Sequence, residues 1–497
     1  MNQPAPLMRR RISKSQYLRG LQCLKSLWLH NFQPQLRAPL GPGLRHILDQ
    51  GHKVGELARR LYPDGFLIQA EDIAQALEQT RAALRGNAQA LFEPAFLYQE
   101  VLVRPDILVK AEDCWDLIEV KASTEIKEEH VPDVAVQRYV LEGAGLPVRK
   151  ACLLRLDPGY VRRGEIDLKR MFQLEDLGDQ SAMALIETPS HLRDMRAALA
   201  LPTVPEIEIG AQCTRPHDCD FMGHCWRHVP KYSVYNLHRA RFEQIAELRQ
   251  RGVMRIEDIP EGTKLSEAQR IQVRCAKTRK PHLDRQSVRK CLAELKWPLY
   301  FLDFETINPA IPPFDGLRPH QPVPFQASLH VEDAPKGTLR HLEYLAEPGP
   351  DPRPGLVDFL VKEIGSEGSI VVYNAGFEGG RLAELAACYP AHEKALLDMK
   401  SRLWDLIVPF RKHYFYHPDF EGRASMKAVL PALAPAMSYE RLEIKNGEMA
   451  FLAYEALMDG SIAGEEARRT LTALKVYCGQ DTLGMVEVLK ALQQQAQ

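Results

Sequence analysis

Apolar positions recur along the chain in two alternating spacings, one typical of helices and the other of strands. The stretch SKSQYLRGLQCLKSLWL has a helical spacing that follows a capping-box pattern from Ser13 to Gln16, which predicts an amphipathic helix. Around residues 100–122, two β-rich runs flank a polar turn and predict a hairpin with Asp106 in the first run. From Trp297 onward, strand patterns such as WPLYFLDFETI alternate with helical ones, so the sequence predicts a mixed α/β protein.

Changes of composition near residues 230 and 291 divide the chain into three predicted segments. Residues 1–230 contain a cysteine cluster and both helical and strand-like patterns. Residues 231–290 have a pattern of short helices, which suggests a helical connector. They include a basic run that only Asp284 interrupts: Arg270, Arg274, Lys277, Arg279, Lys280, Arg285, Arg289 and Lys290. Residues 291–497 end in the helical stretch TLTALKVYCGQDTLGMVEVLKALQQ. A length of 497 residues agrees with about three domains.

Charge and composition narrow the class of protein. A formal net charge of −1 excludes a uniformly basic coat, so a nucleic acid would have to be held by local basic patches or by metals. No apolar run approaches the ~20 residues of a membrane span, and the N-terminus lacks the apolar core of a signal peptide. We therefore expect a cytoplasmic protein without membrane contact. Ten cysteines are too sparse for a disulfide scaffold, and in a reducing compartment a local group of them suggests metal binding.

A carboxylate pair and a lysine mark the predicted hairpin. Glu119 and Lys121 are two residues apart, so a strand would point both to one face, and the neighbouring strand could place Asp106 beside them. Two carboxylates can bind Mg²⁺. The lysine can orient an attacking water or stabilise the charge that develops on a phosphate ester. Downstream, a helical pattern puts Asp133 and Gln137 on one face. The alternative is a surface hairpin with solvated ion pairs.

Four cysteines form a lone-plus-three pattern. Cys23 lies in the first predicted helix, whereas Cys213, Cys219 and Cys225 lie in the loop-like stretch CTRPHDCDFMGHCW. Four thiolates suit a [4Fe–4S] cluster or a structural Zn²⁺, and plain buried thiols are a further alternative. The remaining cysteines are scattered singly and are interpreted as small core residues: Cys114, Cys152, Cys275, Cys291, Cys388 and Cys478.

Together, SKSQYLRGLQCLKSLWL, RPDILV, LIEVKAS and the cysteine pattern resemble the RecB-type PD-(D/E)XK nucleases with an iron–sulfur cluster, including CRISPR-associated and AddB-like members. The resemblance implies a restriction-endonuclease-like fold for residues 1–230. It implies that Asp106, Glu119 and Lys121 form the metal-binding core of the nuclease, with Gln137 as an accessory residue. It also implies four ligands of the cluster: Cys23, Cys213, Cys219 and Cys225. Gly55 occupies the place of the family's metal-binding histidine, and His52 or Glu56 would have to replace it. The even spacing of the clustered cysteines leaves zinc open.

A second set of acidic residues lies in the C-terminal segment. Asp303 and Glu305 interrupt an apolar strand at a spacing of two, so both face one side despite their repulsion, and a cation would explain them. Glu378 follows at a strand–helix junction. Tyr477 and Asp481 are four apart on the last helix and share a face. Four carboxylates of this kind can assemble a two-metal site, with the tyrosine orienting water.

The order of these motifs resembles the DEDD exonucleases of the RNase H-like fold, in their DEDDy subtype. The resemblance spans about residues 297–490 and implies 3′→5′ exonuclease activity with Mg²⁺ or Mn²⁺ at Asp303, Glu305, Glu378 and Asp481, with Tyr477 as the catalytic tyrosine. Glu378 differs from the usual aspartate. Asp405 is a further acid that suits either a ligand or a helix N-terminus. The alternative is an exonuclease fold that has lost its chemistry and serves as a scaffold.

The middle segment resembles helix–hairpin–helix units that hold a nucleic-acid backbone, and a helical linker with a solvated basic face is the alternative. The whole layout resembles an uncharacterised bacterial family in which the two nuclease types are fused. It implies hydrolysis of DNA or RNA, with single-stranded DNA ends as the favoured substrate, in repair or defence against mobile DNA. The chain has no phosphate loop of the GxxxxGK[ST] type, so unwinding would need a helicase partner. A nucleic-acid-binding scaffold and a cluster-based redox sensor are the other hypotheses.

Overall fold

The computed structural model describes residues 11–497, which form two compact units. The first unit comprises the described residues up to His228 together with Pro309–Gln321, and the second comprises Val229–Asn308 with Pro322–Gln497. Both units combine helices with mixed sheets, as the sequence predicted. The predicted connector, residues 231–290, lies within the second unit. Between residues 11 and 497, no helix has both the length and the apolar character that crossing a bilayer requires.

The first unit alternates short strands with helices. Its elements are β1 (Ile12–Ser13), α1 (Lys14–Gln22), α2 (Leu24–Phe32), α3 (Pro42–Arg59), β2 (Gly65–Leu67), α4 (Ile73–Arg85), β3 (Ala90–Phe92), β4 (Phe96–Tyr98), β5 (Val101–Val103), β6 (Ile107–Ala111), β7 (Cys114–Lys121), α5 (His130–Gly143), β8 (Val148–Leu156), α6 (Leu168–Met171), β9 (Phe172–Asp176), α7 (Gly178–Leu199) and α8 (Met222–Cys225). Ser13 caps α1 through the predicted capping box with Gln16.

A six-stranded mixed sheet in the order β2-β3-β6-β7-β8-β9 forms the centre of the first unit. The predicted hairpin is present as the antiparallel pair β6 and β7. The prediction that Asp106 lies within a strand was wrong, because its run divides into β5 and β6 around Pro105, which has no N–H to donate to a ladder. Asp106 instead lies just before β6, so the alternation of side chains along that strand does not fix the direction of its carboxylate.

Side chains alternate across this sheet and build a core on each face. On one face, Leu117 and Leu153 pack with Val134 of α5 and Tyr17 of α1. On the other, Ile118 and Leu154, among others, pack with α3. Because Glu119 and Lys121 share the pleat of Leu117, they point toward α1 and α5.

The second unit begins with the predicted connector and ends in a long helix. Its elements are α9 (Phe242–Gln250), α10 (Glu267–Thr278), β10 (His282–Leu283), α11 (Arg285–Leu292), β11 (Leu299–Ile307), β12 (Val323–Glu332), β13 (Leu339–Leu345), α12 (Arg353–Glu363), β14 (Ser369–Val372), α13 (Ala375–Cys388), α14 (Glu393–Ser401), β15 (Leu403–Asp405), α15 (Val408–Arg411), β16 (Phe415–Tyr416), α16 (Met426–Leu433), α17 (Gly447–Met458) and α18 (Gly464–Ala496).

Five strands in the order β13-β12-β11-β14-β15 form the sheet of the second unit. β12 and β13 run antiparallel to their neighbours, whereas β14 and β15 run parallel to β11. Leu302 and Phe304 of β11 enter a core that includes residues of α12 and α13. The alternate residues, Asp303 and Glu305, therefore face the other side of the sheet, where α17 and α18 pack against β11.

The connector is helical and has its own small core. Ile245 and Leu248 of α9 pack with Ile256 and Val273, and Gly252 makes the turn between them with a φ of 76°. β10 pairs with β16, which joins the connector to the rest of the second unit. Five of the eight basic side chains of the run make contacts within the unit. For example, Arg279 pairs with Asp419 at 3.0 Å.

Candidate active sites

The second unit brings four acidic side chains together at the centre of its sheet. Asp303 and Glu305 come from β11, Asp481 comes from α18, and Glu378 comes from the first turn of α13. Asp481 and Glu305 both act electrostatically on Asp303, and so does Glu378. The structure therefore assembles all four acids that the sequence selected for this site.

Helix α18 contributes three residues to this cluster, at spacings of one and three along the helix. Tyr477 and Asp481 face it as expected, and Cys478 lies between them in sequence. The Cys478 Sγ is 4.0 Å from Asp303 Oδ2. The phenol of Tyr439 donates a hydrogen bond to Asp481 Oδ1. Tyr439 and Cys478 belong to the cluster, although the sequence analysis did not select them for the site.

Glu378 reaches the cluster because the chain turns sharply between β14 and α13. Asn374 makes that turn with a φ of 94°, a conformation that asparagine tolerates better than most residues. Glu378 is 2% exposed, and its Oε2 has no hydrogen-bond partner among residues 11–497. Asp405 ends β15 and accepts hydrogen bonds from the backbone N–H groups of Asn374, at 3.0 Å, and Ile407, at 3.2 Å. The unpartnered Oε2 of Glu378 costs free energy of folding unless a proton or a cation occupies it, because it is buried without a hydrogen-bond donor.

Burial raises the pKa of all four acids, and repulsion from other acids adds to this rise for Asp303, Glu305 and Glu378. Burial, followed by repulsion from its acidic neighbours, raises the pKa of Asp303 well above its ordinary value. Burial together with Asp481 raises the pKa of Glu305 to about 8, and burial with Asp405 raises that of Glu378 to about 8. Burial raises the pKa of Asp481 to about 6, and hydrogen bonds from Tyr439 and Tyr477 limit this rise.

Little positive charge within the protein compensates this cluster. In the described part of the chain, no ion pair within 4.0 Å involves Asp303, Glu305, Glu378 or Asp481. Lys427 of α16 lowers the pKa of Glu305 and Asp481, but only partly offsets burial. Oxygen ligands crowded in this way, without a cationic side chain among them, have the chemistry of a divalent-cation site.

The first unit contains a second group of charged side chains, on the predicted hairpin. The register Ile107↔Ile118 places Asp106 opposite Glu119. The carboxylate of Asp106 accepts a hydrogen bond of 2.7 Å from the backbone N–H of Val120. Lys121 Nζ lies 2.7 Å from Glu119 Oε1, so the three predicted residues do meet.

Helices α1 and α5 complete this group. Gln137 donates to Glu119 Oε2 at 2.8 Å, and Lys121 Nζ lies 2.7 Å from Asp133 Oδ2. Lys14, the first residue of α1, lies 2.6 Å from Glu119 Oε1 and 3.4 Å from Asp133 Oδ1. Lys14 could not be selected from the sequence, because a lysine next to a helix cap has no local pattern that predicts a contact 105 residues away.

The two lysines divide the acids of the first unit into unlike environments. Burial alone would raise the pKa of Glu119, but Lys121 and Lys14 together lower it below its ordinary value. Burial and the charge of Glu119 raise the pKa of Asp106, with less compensation from the lysines. Among the described residues, Asp106 is the acid of this group that forms no ion pair within 4.0 Å with either lysine.

A cleft opens beside Asp106. His52 and Gly55 of α3 line it, together with Arg59 and Glu93. Of the two residues considered as alternative ligands, His52 lines this cleft and Glu56 does not. Glu93 was not selected from the sequence, since it follows β3 with no acidic partner nearby in the chain.

The four selected cysteines line one pocket of the first unit. Cys23 lies between α1 and α2, and the loop before and around α8 supplies Cys213, Cys219 and Cys225. The Arg19 guanidinium of α1 holds this loop through two hydrogen bonds to Asp220, of 2.7 and 2.9 Å. Burial raises the pKa of the Cys23 and Cys225 thiols, and the neighbouring thiols raise it further.

Comparison with known proteins links part of the chain to uncharacterised bacterial proteins. Residues 300–425 match a family described as a domain of unknown function (DUF2779). This match contains Asp303, Glu305 and Glu378 but ends before Tyr477.

Two relatives illustrate the similarity. The chain is 27% identical over 215 residues to the uncharacterized protein MG366 homolog of Mycoplasma pneumoniae, across 39% of this chain and 32% of that protein. It is 25% identical over 226 residues to the uncharacterized protein UU173 of Ureaplasma parvum, across 41% and 32% respectively. The chain thus matches about a third of the length of these curated relatives.

The raised pKa of the buried acid Glu378 predicts how the free energy of unfolding depends on pH. Its folded-state pKa of about 8 exceeds the ordinary 4.5, so the folded state holds a proton that the unfolded state releases. Stability of the metal-free protein therefore falls as pH rises from about 4.5 to about 8, at up to about 1.4 kcal/mol per pH unit for this group. Glu378→Gln removes that dependence. Urea denaturation in a chelator should show the variant more stable than the parent at pH 8, with the gap closing toward pH 5.

Glu367→Gln, at an exposed position of the same unit, is the control and should leave the pH dependence of the parent unchanged. An equal pH dependence in the parent and Glu378→Gln would contradict the assignment of a proton to this buried acid.

Proposed function

We propose that the second unit is an RNase H-like exonuclease of the DEDDy type that removes nucleotides from the 3′ end of single-stranded nucleic acid. The observation that carries the proposal is the convergence of Asp303, Glu305, Glu378 and Asp481, with a buried Glu378 oxygen that has no hydrogen-bond partner. The sheet also supports it. In the order β13-β12-β11-β14-β15, β12 runs antiparallel to the other four strands, which agrees with that fold.

The residues present fit divalent cations. Asp303, Glu305, Glu378 and Asp481 would hold Mg²⁺ or Mn²⁺, because hard cations prefer carboxylate oxygens. Such ions, when bound, would activate water and stabilise the charge that develops on the phosphate oxygens. Binding of the ions would also displace the protons that the raised pKa values retain on these acids.

The remaining side chains of the site have roles that their positions support. The phenol of Tyr477 is buried beside Asp481 and would orient the attacking water. Lys427 would attract the scissile phosphate. Water adds to phosphorus, the bond to the 3′ oxygen breaks, and a proton passes to that oxygen, which releases a 5′-mononucleotide.

Single-stranded DNA is the favoured substrate in this proposal, and RNA is the alternative. Lys280, Arg285 and Lys290 are exposed members of the connector's basic run and would hold the phosphate backbone without reading sequence. An enzyme of this kind would act on DNA ends in repair or in defence against mobile DNA, with a helicase partner where a duplex must be opened.

We expect 5′-labelled single-stranded DNA or RNA to be shortened from its 3′ end by the purified protein with Mg²⁺ or Mn²⁺. Asp303→Asn should lower this rate at least about a hundredfold, because the lost metal ligand contributes several kcal/mol to the transition state. Asp333→Asn, an exposed acid of the same unit, is the matched control. If the parent cuts neither substrate, the second unit is a binding scaffold instead.

The first unit supports a second nuclease proposal, of the PD-(D/E)XK type. Asp106 and Glu119 would hold the cation, and His52 and Glu93 line the cleft beside Asp106. Lys121 would stabilise the developing charge, and Gln137 fixes the carboxylate of Glu119. In the experiment above, cleavage that survives Asp303→Asn belongs to this site if Glu119→Gln removes it.

We also propose that the cysteine pocket holds a [4Fe–4S] cluster. In a tetrahedral zinc site, Zn–S bonds of about 2.3 Å place the sulfur atoms about 3.8 Å apart. Among residues 11–497, the group of three or more ligand atoms within 4.8 Å of one another is Asp303, Glu305 and Cys478, and it includes no cysteine of the pocket. No three of the pocket's sulfur atoms therefore lie as close together as a zinc site requires, which favours a larger inorganic group over a single ion.

Protein purified without oxygen should therefore be brown and contain about four iron and four sulfide per chain. Cys219→Ser should lose most of the iron, whereas Cys114→Ser, outside the pocket, should retain it. One zinc per chain and no iron in the parent would refute the cluster. A parent whose nucleic-acid affinity changes on oxidation, while Asp303→Asn leaves its behaviour unaltered, would favour the redox-sensor hypothesis.

A further inference from the structure

A thiol lies within the acidic cluster of the second unit. Cys478 is fully buried, and its Sγ is 4.0 Å from Asp303 Oδ2. One ligand atom each from Asp303, Glu305 and Cys478 lies within 4.8 Å of the other two. A thiol that served only as a small core residue would be expected among apolar side chains, whereas this one lies against carboxylates.

The separations suit a single cation. With a metal–sulfur distance of about 2.3 Å and a metal–oxygen distance of about 2.1 Å, a separation of 4.0 Å between Sγ and Oδ2 corresponds to an angle of about 130° at the ion. That angle is wider than the tetrahedral value, and a small side-chain rotation would reduce it. The unpartnered, buried Glu378 oxygen is an independent indication that this cluster accommodates a ligand.

The chemistry of the three donors selects the class of ion. Mg²⁺ takes oxygen ligands and has little affinity for sulfur, whereas Zn²⁺ and Cd²⁺ accept a thiolate together with carboxylates. We propose that Cys478, Asp303 and Glu305 form a mixed sulfur–oxygen site that binds a borderline-soft divalent cation of the Zn²⁺ type. Such an ion competes with Mg²⁺ for the carboxylates and restrains the nuclease. Only this consequence rests on the proposed exonuclease, because the binding itself needs no activity.

Cd²⁺ is the probe, because a cadmium–thiolate bond gives an ultraviolet absorption band. The full-length parent is purified without oxygen and titrated with Cd²⁺. Its absorption band should exceed that of Cys478→Ala by the amount that one cadmium–thiolate bond contributes. Cys275→Ala is the matched control, since Cys275 is also buried in the second unit and lies away from the acids. Its spectrum should equal that of the parent, because the pocket cysteines are the same in all three proteins.

Asp303→Asn retains the thiol but should weaken Cd²⁺ binding at this band at least about tenfold, since even supporting residues of metal sites contribute that much. This variant also decides the matter if Cys478→Ala does not fold. Identical titrations of the parent and Cys478→Ala, or of the parent and Asp303→Asn, would overturn the site. An intact band in a protein without exonuclease activity would overturn the proposed function and leave the cation site standing.

Discussion

Repulsion among buried carboxylates is the constraint that shapes the second unit. The sheet must point Asp303 and Glu305 to one face because alternate residues of β11 are needed in the core. The last helix and the turn at Asn374 then add Asp481 and Glu378 to the same place. An apolar residue at any of these positions would pack at lower cost. Burial raises the pKa of these acids, so that protons are retained on them, and a cation would replace those protons.

The first unit meets the same problem in a different way. Lys14 and Lys121 form close ion pairs with Glu119 and Asp133, whereas Asp106 forms none within 4.0 Å in the described part of the chain. Lys14 begins α1, and the Cys23 thiol follows the end of the same helix. The helix is therefore fixed at one end by the acids and at the other by the cysteine pocket. In the proposed nuclease, a cluster in that pocket would hold α1 in place and with it a lysine of the site.

Much of the site followed from local spacing, because alternation in strands and the helical repeat act over a few residues. Spacing of two placed Glu119 with Lys121 and Asp303 with Glu305, and spacing of four placed Tyr477 with Asp481. The α/β character and the β6–β7 hairpin could be predicted for the same reason. The break at Pro105 was overlooked, although a proline that cannot donate to a ladder was the available signal.

The residues that the sequence did not reveal depend on long-range contacts. Lys14 and Glu93 reach the acids of the first unit only through the packing of α1 and the end of β3. Tyr439 reaches Asp481 from 42 positions away. Cys478 was interpreted as a core residue because a lone cysteine in a helix has no pattern of its own; it is buried as expected, but against carboxylates.

The most direct measurement of the central claim, that the four acids of the second unit are held for a divalent cation, is the proton release that accompanies Mn²⁺ binding. Calorimetric titration at pH 7 in two buffers of different ionisation enthalpy gives the number of protons released per ion. Because burial raises the pKa of Glu305 and Glu378 to about 8, the parent should release about one proton or more, and Asp303→Asn should bind the ion at least about tenfold more weakly. Equal binding by the parent and Asp303→Asn, or binding without proton release, would contradict the claim.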